Sequence, residues 1–396
     1  MRILFLIHSL TGGGAERVMS NLVRHFSSKA EVALAMFGGT GRQADYDIPE
    51  GIKVYEIGSY RFGRLKEKID KIRFVKSVKR EFAPDVTLSF LESGNAYNIL
   101  SGGPGRKLVS IRNHTSKKNE FKRGEISRFL TWAKKLDRRA DGVICVSRRV
   151  AEDQISKFGI SRDRIRVIYN YVDREGIAEA ARVPVTDEEF LRFRKEKEFL
   201  FVVTGRFDIQ KGYPNLVKIF SLFLKDHPDA GLVILGRGSL EEKIRELCSE
   251  YGITGSVLMP GRKKDPFPFM AQCYAFVFPS FYEGFPNAVL EAMSCSLPVI
   301  CDDCVGVGEL MAPGRTAAES VCKMTVTECG ILTPLLDCKF DRHAELTRRE
   351  SEFLAAMEKI YEDQPLRERL AEKSYDRRGD FLPETILPQW EEVLGL

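Results

Sequence analysis

Short apolar runs alternate with amphipathic stretches along nearly all of the chain. In the first half, Arg2–His8, Glu31–Phe37, Asp85–Phe90, Leu108–Ile111, Gly142–Ser147 and Arg164–Asn170 read as strands. Leu65, Ile69, Ile72, Val75, Val78 and Phe82 recur every three or four residues, which predicts one apolar helix face. The segment after Phe37 is less regular. The second half repeats the plan, with strands expected at Phe199–Gly205, Gly231–Gly236, Val257–Pro260, Ala275–Ser280, Pro298–Cys301 and Ile331–Pro334. Apolar strands buried on both faces and alternating with helices predict a parallel sheet in each half. The expected fold class is therefore α/β, with two Rossmann-like, doubly wound lobes that take ligands at the carboxyl ends of their strands.

A chain of 396 residues exceeds what one hydrophobic core usually serves, in keeping with two lobes. The expected division is residues 1–172, residues 173–380 and a tail of residues 381–396. A charged, weakly patterned stretch through Lys197 follows the boundary. The tail reads as a helix entered through Pro383, with Ile386, Leu387, Trp390, Val393 and Leu394 on its apolar face, expected to cross back onto the first lobe.

Composition changes this picture in one respect. The net charge of +5 hides an asymmetry: residues 1–172 carry 33 Lys+Arg against 18 Asp+Glu, the remainder 28 against 38. A basic lobe calls for an anionic partner. No run reaches the ~18 apolar residues of a membrane span. The run Ile3–Ile7 is too short for a signal-peptide core, which predicts a cytoplasmic protein. Of nine cysteines, only Cys301 and Cys304 form a C-x-x-C pair, with no second pair to complete a zinc site.

Three stretches carry candidate chemistry. Thr11-Gly12-Gly13-Gly14-Ala15-Glu16-Arg17 follows the first strand and opens a helix, whose free N–H groups suit an anion. Thr204-Gly205-Arg206 and Lys211-Gly212 follow the first strand of the second lobe, where two cations five residues apart can grip a diphosphate. Glu283-Gly284-Phe285-Pro286-Asn287-Ala288-Val289-Leu290-Glu291 places one carboxylate on a loop and another inside the following helix, with Pro286 suited to that helix's first turn. Such carboxylates could flank a scissile glycosidic bond, or accept from two hydroxyl sets of one long ligand.

Together these stretches resemble the family-4 retaining glycosyltransferases of the GT-B fold, over nearly the whole chain. The resemblance rests on Gly13-Gly14-Ala15-Glu16-Arg17, on Gly205-Arg206 with Lys211-Gly212, and most on Glu283-Gly284-Phe285-Pro286-Asn287 with Glu291, an E-x7-E signature. It implies an acceptor-binding first lobe, a donor-binding second lobe and a cleft between them. Arg206 and Lys211 would hold the donor diphosphate, Glu283 the donor-sugar hydroxyls and Glu291 the ribose. Gly284, Phe285, Pro286 and Asn287 would line the phosphate end of the same loop, and Arg262 would mark base recognition. Gly13 and Gly14 would close over the phosphates, and His114 would lie near the reacting sugar.

The implied reaction is front-face displacement from a nucleotide-sugar, weighted toward a UDP-sugar carrying a hexose or N-acetylhexosamine. The catalytic set would be Glu283, His114, Arg206 and Lys211, with no side-chain nucleophile. The resemblance is closest to bacterial enzymes of surface polysaccharide, acting on glycan or polyprenyl-diphosphate-linked acceptors. Cys301-Asp302-Asp303-Cys304 and the loop from Ala312 to Cys329 depart from the family pattern near the expected sugar pocket. Asp45-Tyr46-Asp47 matches the letters of a D-x-D metal motif but lies in a polar stretch, so neither a metal nor another cofactor is expected.

Two basic clusters mark the first lobe. One runs from Arg61 and Arg64 through Lys66, Lys68, Lys71, Arg73, Lys76, Lys79 and Arg80. The other runs from Arg106 and Arg112 through Lys117, Lys118, Lys122, Arg123, Lys134, Lys135, Arg138 and Arg139. Tyr60, Phe62, Phe121, Phe129 and Trp132 are interleaved. This pattern predicts reversible docking on the inner face of an anionic cell membrane. No nucleic-acid-reading motif accompanies the charge. A nucleotide-sugar epimerase or phosphorylase, an inactive scaffold and a dinucleotide oxidoreductase are the competing readings.

Overall fold

A computed structural model describes residues 1–38, 46–58, 64–121, 135–315 and 320–396, without the side chains of Arg64, Leu65 and Phe121. The chain divides into two compact units, Met1–Asn170 with Gln389–Leu396, and Tyr171–Pro388.

The first unit holds a seven-stranded parallel sheet of order β3-β2-β1-β4-β5-β6-β7. Its strands are β1 (Arg2–Ile7), β2 (Glu31–Met36), β3 (Lys53–Glu56), β4 (Val86–Phe90), β5 (Arg106–Ile111), β6 (Gly142–Cys145) and β7 (Ile165–Val167). The helices are α1 (Gly14–Phe26), α2 (Arg64–Phe82), α3 (Leu91–Leu100), α4 (Thr115–Phe121) and α5 (Arg148–Phe158). Ile3 to Ile7 are wholly buried, as a strand covered on both faces requires. Strand β3 was not expected, because its burial is slight and its residues do not form an apolar run.

On α2, Val75, Val78 and Phe82 are buried as the periodicity predicts, but Ile69 is exposed. Two lysines of the basic cluster turn inward instead. Lys71 pairs with Glu67 at 2.6 Å. Lys79 is fully buried, and its ammonium donates to Asn98 O and Oδ1, both at 2.7 Å, and to Gly102 O at 3.0 Å.

The stretch 173–197 is more ordered than its weak pattern suggests. Two helices form there, α6 (Arg174–Ala181) and α7 (Glu188–Glu196), each started by an aspartate side chain. Asp173 accepts from Gly176 N–H and Asp187 from Phe190 N–H.

The second sheet has the order β10-β9-β8-β11-β12-β14-β13. Its strands are β8 (Phe199–Thr204), β9 (Ala230–Leu235), β10 (Val257–Leu258), β11 (Ala275–Phe278), β12 (Val299–Asp302), β13 (Thr325–Val326) and β14 (Gly330–Thr333). All pairings are parallel except β13 with β14. The helices continue as α8 (Tyr213–Asp226), α9 (Glu241–Glu250), α10 (Phe267–Met270), α11 (Asn287–Ser294), α12 (Val307–Met311), α13 (Arg348–Glu362), α14 (Gln364–Arg377) and α15 (Pro383–Leu394).

The last eight residues belong to the first unit. There Trp390 is buried against Phe90, with ring centroids 6.1 Å apart, and Glu391 accepts from Lys29 at 2.5 Å and meets His25 at 2.8 Å. In both sheets strand order reverses beside the first strand, at β1/β4 and at β8/β11. Loops leaving such neighbours diverge and open a crevice at the carboxyl edge.

Candidate functional site

In the second unit the β8/β11 neighbours bring together stretches some seventy residues apart in sequence. Gly212, at φ 62°, has no room for a side chain: a Cβ would lie 2.0 Å from the carbonyl oxygen of Pro279. That close approach locks the loop after β8 to the loop after β11. Phe281 N–H donates to Gln210 O at 2.9 Å. The Gln210 amide donates to Tyr282 O at 2.7 Å and to Glu283 Oε1 at 3.2 Å.

Lys211 Nζ donates to the same Glu283 oxygen at 2.7 Å and stands over the Phe278 ring, 4.8 Å from its centroid. The Lys211 and Glu283 side chains are only 15% and 10% exposed, so their attraction is weakly screened. Tyr213 is buried beside them, its hydroxyl without a hydrogen-bond partner. Burial, with the anions Asp208 and Glu283, pushes its phenol far up, so it remains a donor.

Pro286 ends the extended loop at φ −76° and ψ 113°, and α11 begins at Asn287 without a side-chain cap. Pro286 therefore precedes the helix rather than lying in its first turn. The first N–H groups of α11 carry the positive end of the helix dipole and suit an anion. Gly284, Phe285 and Glu291 are buried, and Phe285 packs on Phe381 at 5.2 Å. A Cβ on Gly306 would lie 2.1 Å from Gly284 O, so the loop after β12 abuts the Glu283 loop.

Arg206 stands apart from this cluster. Its side chain is 68% exposed and its nearest anion is Asp208 at 3.5 Å. Arg262 is exposed too, yet its loop shares the same edge of the sheet. Gly236 N–H donates to Gly261 O at 3.1 Å, and a Cβ on Gly236 would meet Gly205 O at 1.9 Å.

Two residues here escaped the sequence reading, Gln210 and Tyr213, and a third, Asp302, was met without a role. Asp302 ends β12 fully buried. Burial pushes its carboxyl well up, aided by Asp303 and Glu283 and opposed by hydrogen bonds from the Leu336 backbone and Cys304. Cys301 and Cys304 are buried, unbridged and pushed up by burial, which leaves them as unreactive thiols. Asp303 is spent on a two-pronged pair with Arg315, at 3.0 and 2.8 Å. The sequence reading had met Asp302 only within Cys301-Asp302-Asp303-Cys304, as a departure from the family pattern near the expected sugar pocket.

In the first unit, Gly13 caps α1 and Gly14 begins it. The Glu16 carboxylate folds onto this turn, with Oε2 2.0 Å from where a Cβ on Gly13 would lie. His114 is mostly buried, and its Nδ1 accepts from Lys117 N–H at 3.3 Å, which leaves the ring proton on Nε2. Burial pushes its pKa down, opposed by Asp153 at 3.7 Å.

Asp45, Tyr60, Arg61, Phe62, Lys122, Arg123, Phe129, Trp132 and Lys134 lie outside the described residues, as do the side chains of Arg64 and Phe121. Among the described basic residues, Lys66, Arg73, Lys76, Arg80, Lys135, Arg138 and Arg139 are exposed, while Arg112 is buried. No helix among the described residues is long and apolar enough to cross a membrane.

Residues 186–323 match the sequence profile of the glycosyl transferases group 1, and residues 12–175 that of glycosyltransferase family 4. An uncharacterized glycosyltransferase of Methanocaldococcus jannaschii is 28% identical over 334 residues, 81% of each chain. The N-acetylgalactosamine-N,N'-diacetylbacillosaminyl-diphospho-undecaprenol 4-alpha-N-acetylgalactosaminyltransferase of Campylobacter jejuni is 30% identical over 311 residues, 75% of this chain and 79% of the relative. The crystal structure of Anabaena HepE in complex with UDP superposes with a TM-score of 0.74 at 18% identity, covering 100% of both chains.

Proposed function

The chain belongs to the family-4 glycosyltransferases, and from that premise we propose that it moves a hexose or N-acetylhexosamine, with retention, from a UDP-sugar to a glycan or polyprenyl-diphosphate-linked acceptor in surface polysaccharide synthesis. The observation that carries the donor half is the Lys211–Glu283 contact at the β8/β11 crevice, 2.7 Å long and nearly buried, beside the uncapped start of α11. The Campylobacter relative's acceptor is a diphospho-undecaprenol and HepE was solved with UDP, which supports the choice of substrates.

In this reading Lys211, Arg206 and the α11 N–H groups meet the charge that grows on the departing diphosphate. Fixed charges of this kind need no reorganisation as the bond breaks. Glu283 orients the donor-sugar hydroxyls and Glu291 the ribose. The glycosidic bond to the diphosphate breaks as the acceptor hydroxyl attacks from the same face, and the leaving phosphate oxygen takes the acceptor proton. His114, with its proton on Nε2, offers a donor to a sugar oxygen. Because Arg206 and Lys211 answer the diphosphate charge, turnover should survive a chelator. The exposed cations of the first unit would hold the enzyme on an anionic membrane surface at low salt. Failure to float with anionic liposomes would remove that part.

The deciding experiment is a thermal-shift titration with UDP-, GDP- and ADP-sugars on the wild type, Arg206→Ala and Glu291→Ala. Stabilisation by UDP-sugars, lost in both variants, is the expected result. Stabilisation by another nucleotide class would correct the base, and none at all would sink the donor assignment.

A further inference from the structure

Helix α5 turns two polar side chains into the core beside Val150 and Ala151. Asp153 is 5% exposed and Gln154 is wholly buried. A buried carboxylate is costly unless hydrogen bonds answer it, and the first turn of α4 supplies them. Ser116 N–H donates to Asp153 Oδ2 at 3.2 Å, and Ser116 Oγ donates to Asp153 Oδ1. The Gln154 amide donates to Thr115 Oγ1 at 3.1 Å and to Asp153 Oδ2 at 3.4 Å. Asp153 and Gln154 thus fasten Thr115 and Ser116, where α4 begins.

The residue just before α4 is His114. Lys118 N–H donates to its carbonyl oxygen at 3.1 Å, and Lys117 N–H donates to its Nδ1 at 3.3 Å. The first N–H groups of a helix have no partner within it. Here Asp153 meets the one on Ser116 and the His114 ring meets the one on Lys117. A backbone N–H can only donate, so Nδ1 is bare and Nε2 carries the ring proton. Asp153 Oδ2 lies 3.7 Å from Nδ1, beyond hydrogen-bond length. Asp153 therefore grips the helix start, and the helix start holds the ring.

We propose that Asp153 is a positioning residue for His114: by clamping Ser116 it fixes the first turn of α4, which keeps Lys117 N–H on Nδ1 and leaves the Nε2 proton for a sugar oxygen. The inference rests on the donor role given to His114 above. Every group in it belongs to the first unit. Among the described residues, the charges acting on the ring are Lys117 and Glu120 on α4 and Arg149 and Asp153 on α5. Burial pushes His114 down, and Asp153 is the first charge opposing that push.

The test joins ring nitrogen NMR to UDP release from UDP-glucose and UDP-N-acetylglucosamine, on the full chain. His114→Ala identifies the His114 signals among the five histidines. The wild type should show the Nε2–H form. In Asp153→Asn the amide can still accept from Ser116 N–H and donate to Ser116 Oγ. This variant should keep that form and hold kcat within about three-fold, while the lost anion lowers the His114 pKa by about one unit or more. Asp153→Ala should give a mixture of the two neutral ring forms and lower kcat about ten-fold or more. Adding His114→Ala to Asp153→Ala should make the protein no slower than His114→Ala alone, because both act through one ring.

An unchanged Nε2–H form in Asp153→Ala would overturn the proposal, as would kcat losses that multiply in the double variant. If Asp153→Ala does not fold, the Asp153→Asn titration decides, and an unshifted His114 there is equally fatal. A slow His114→Ala beside a normal Asp153→Ala refutes Asp153 and spares the donor role of His114. A His114→Ala as fast as wild type removes that donor role, and the positioning role falls with it. If neither nucleotide-sugar is turned over, the choice of donor has failed and the ring form in Asp153→Ala alone decides.

Discussion

Replacing Lys211 by Met should destabilise the second unit while leaving Glu283 as a nearly buried anion without its cation. The pair is 2.7 Å long, with side chains 15% and 10% exposed. Breaking a buried pair from one side costs about 3–5 kcal/mol. Both side chains keep some exposure, and Gln210 still donates to Glu283 at 3.2 Å, so about 3 kcal/mol is the reasoned value. For a unit of this size each kcal/mol moves Tm by about 2–4 °C, giving a fall of roughly 6–12 °C.

Differential scanning calorimetry on Lys211→Met, Glu283→Gln and the double variant makes the argument decisive. If the loss comes from an orphaned carboxylate, Glu283→Gln in the Lys211→Met background should restore stability, because a neutral amide needs no cation. Lys211→Met melting within about 2 °C of wild type, or a double variant melting below it, would refute the reasoning. On the proposed donor assignment, all three proteins should transfer sugar slowly.

Arg206→Ala should behave in the opposite way. Its side chain is 68% exposed and its ion pair with Asp208 is 3.5 Å long, so Tm should hold within about 1–2 °C while, on the proposed donor assignment, donor KM rises sharply in a steady-state assay. Gly212→Ala should unfold at much lower temperature than wild type, because its positive φ and the Pro279 carbonyl 2.0 Å away both exclude a side chain; a near-native melting curve would contradict the locked loops. Lys79 is pushed down by burial to about 7 from 10.5. Between those values the unfolded chain binds a proton that the folded one has released, so stability should rise with pH there, and be lowest below about 7. Lys79→Met should flatten that rise in pH-dependent urea unfolding. His114 is likewise pushed down by burial, so it should favour the folded state less as acid protonates it, and His114→Asn should weaken the loss of stability on acidification.

Much of the architecture was written locally. Strands such as Arg2–Ile7 and Phe199–Thr204 are continuous apolar runs, and only a sheet covered on both faces buries them, so class and element order follow from periodicity alone. Glu283 on a loop and Glu291 in a helix were equally legible, because Pro286 and the following apolar period mark where α11 begins. Local pattern failed where stability came from elsewhere. Ile69 fits the helix period yet faces solvent, and residues 173–197 look unpatterned yet form two helices through the caps of Asp173 and Asp187. Strand order was the property that no local window contains. Only the placement of β8 against β11 joins Gln210 and Lys211 to Glu283 across some seventy residues. Only burial at the end of β12 pushes the Asp302 carboxyl up, and only the packing around Phe90 and Asn170 makes Arg112 a buried cation rather than one more surface arginine. The sequence by itself determined which residues could be strands, helices and ligands. Burial and charge state depend on neighbours distant in the chain, so the tertiary structure alone decided which charges stand alone and which are answered.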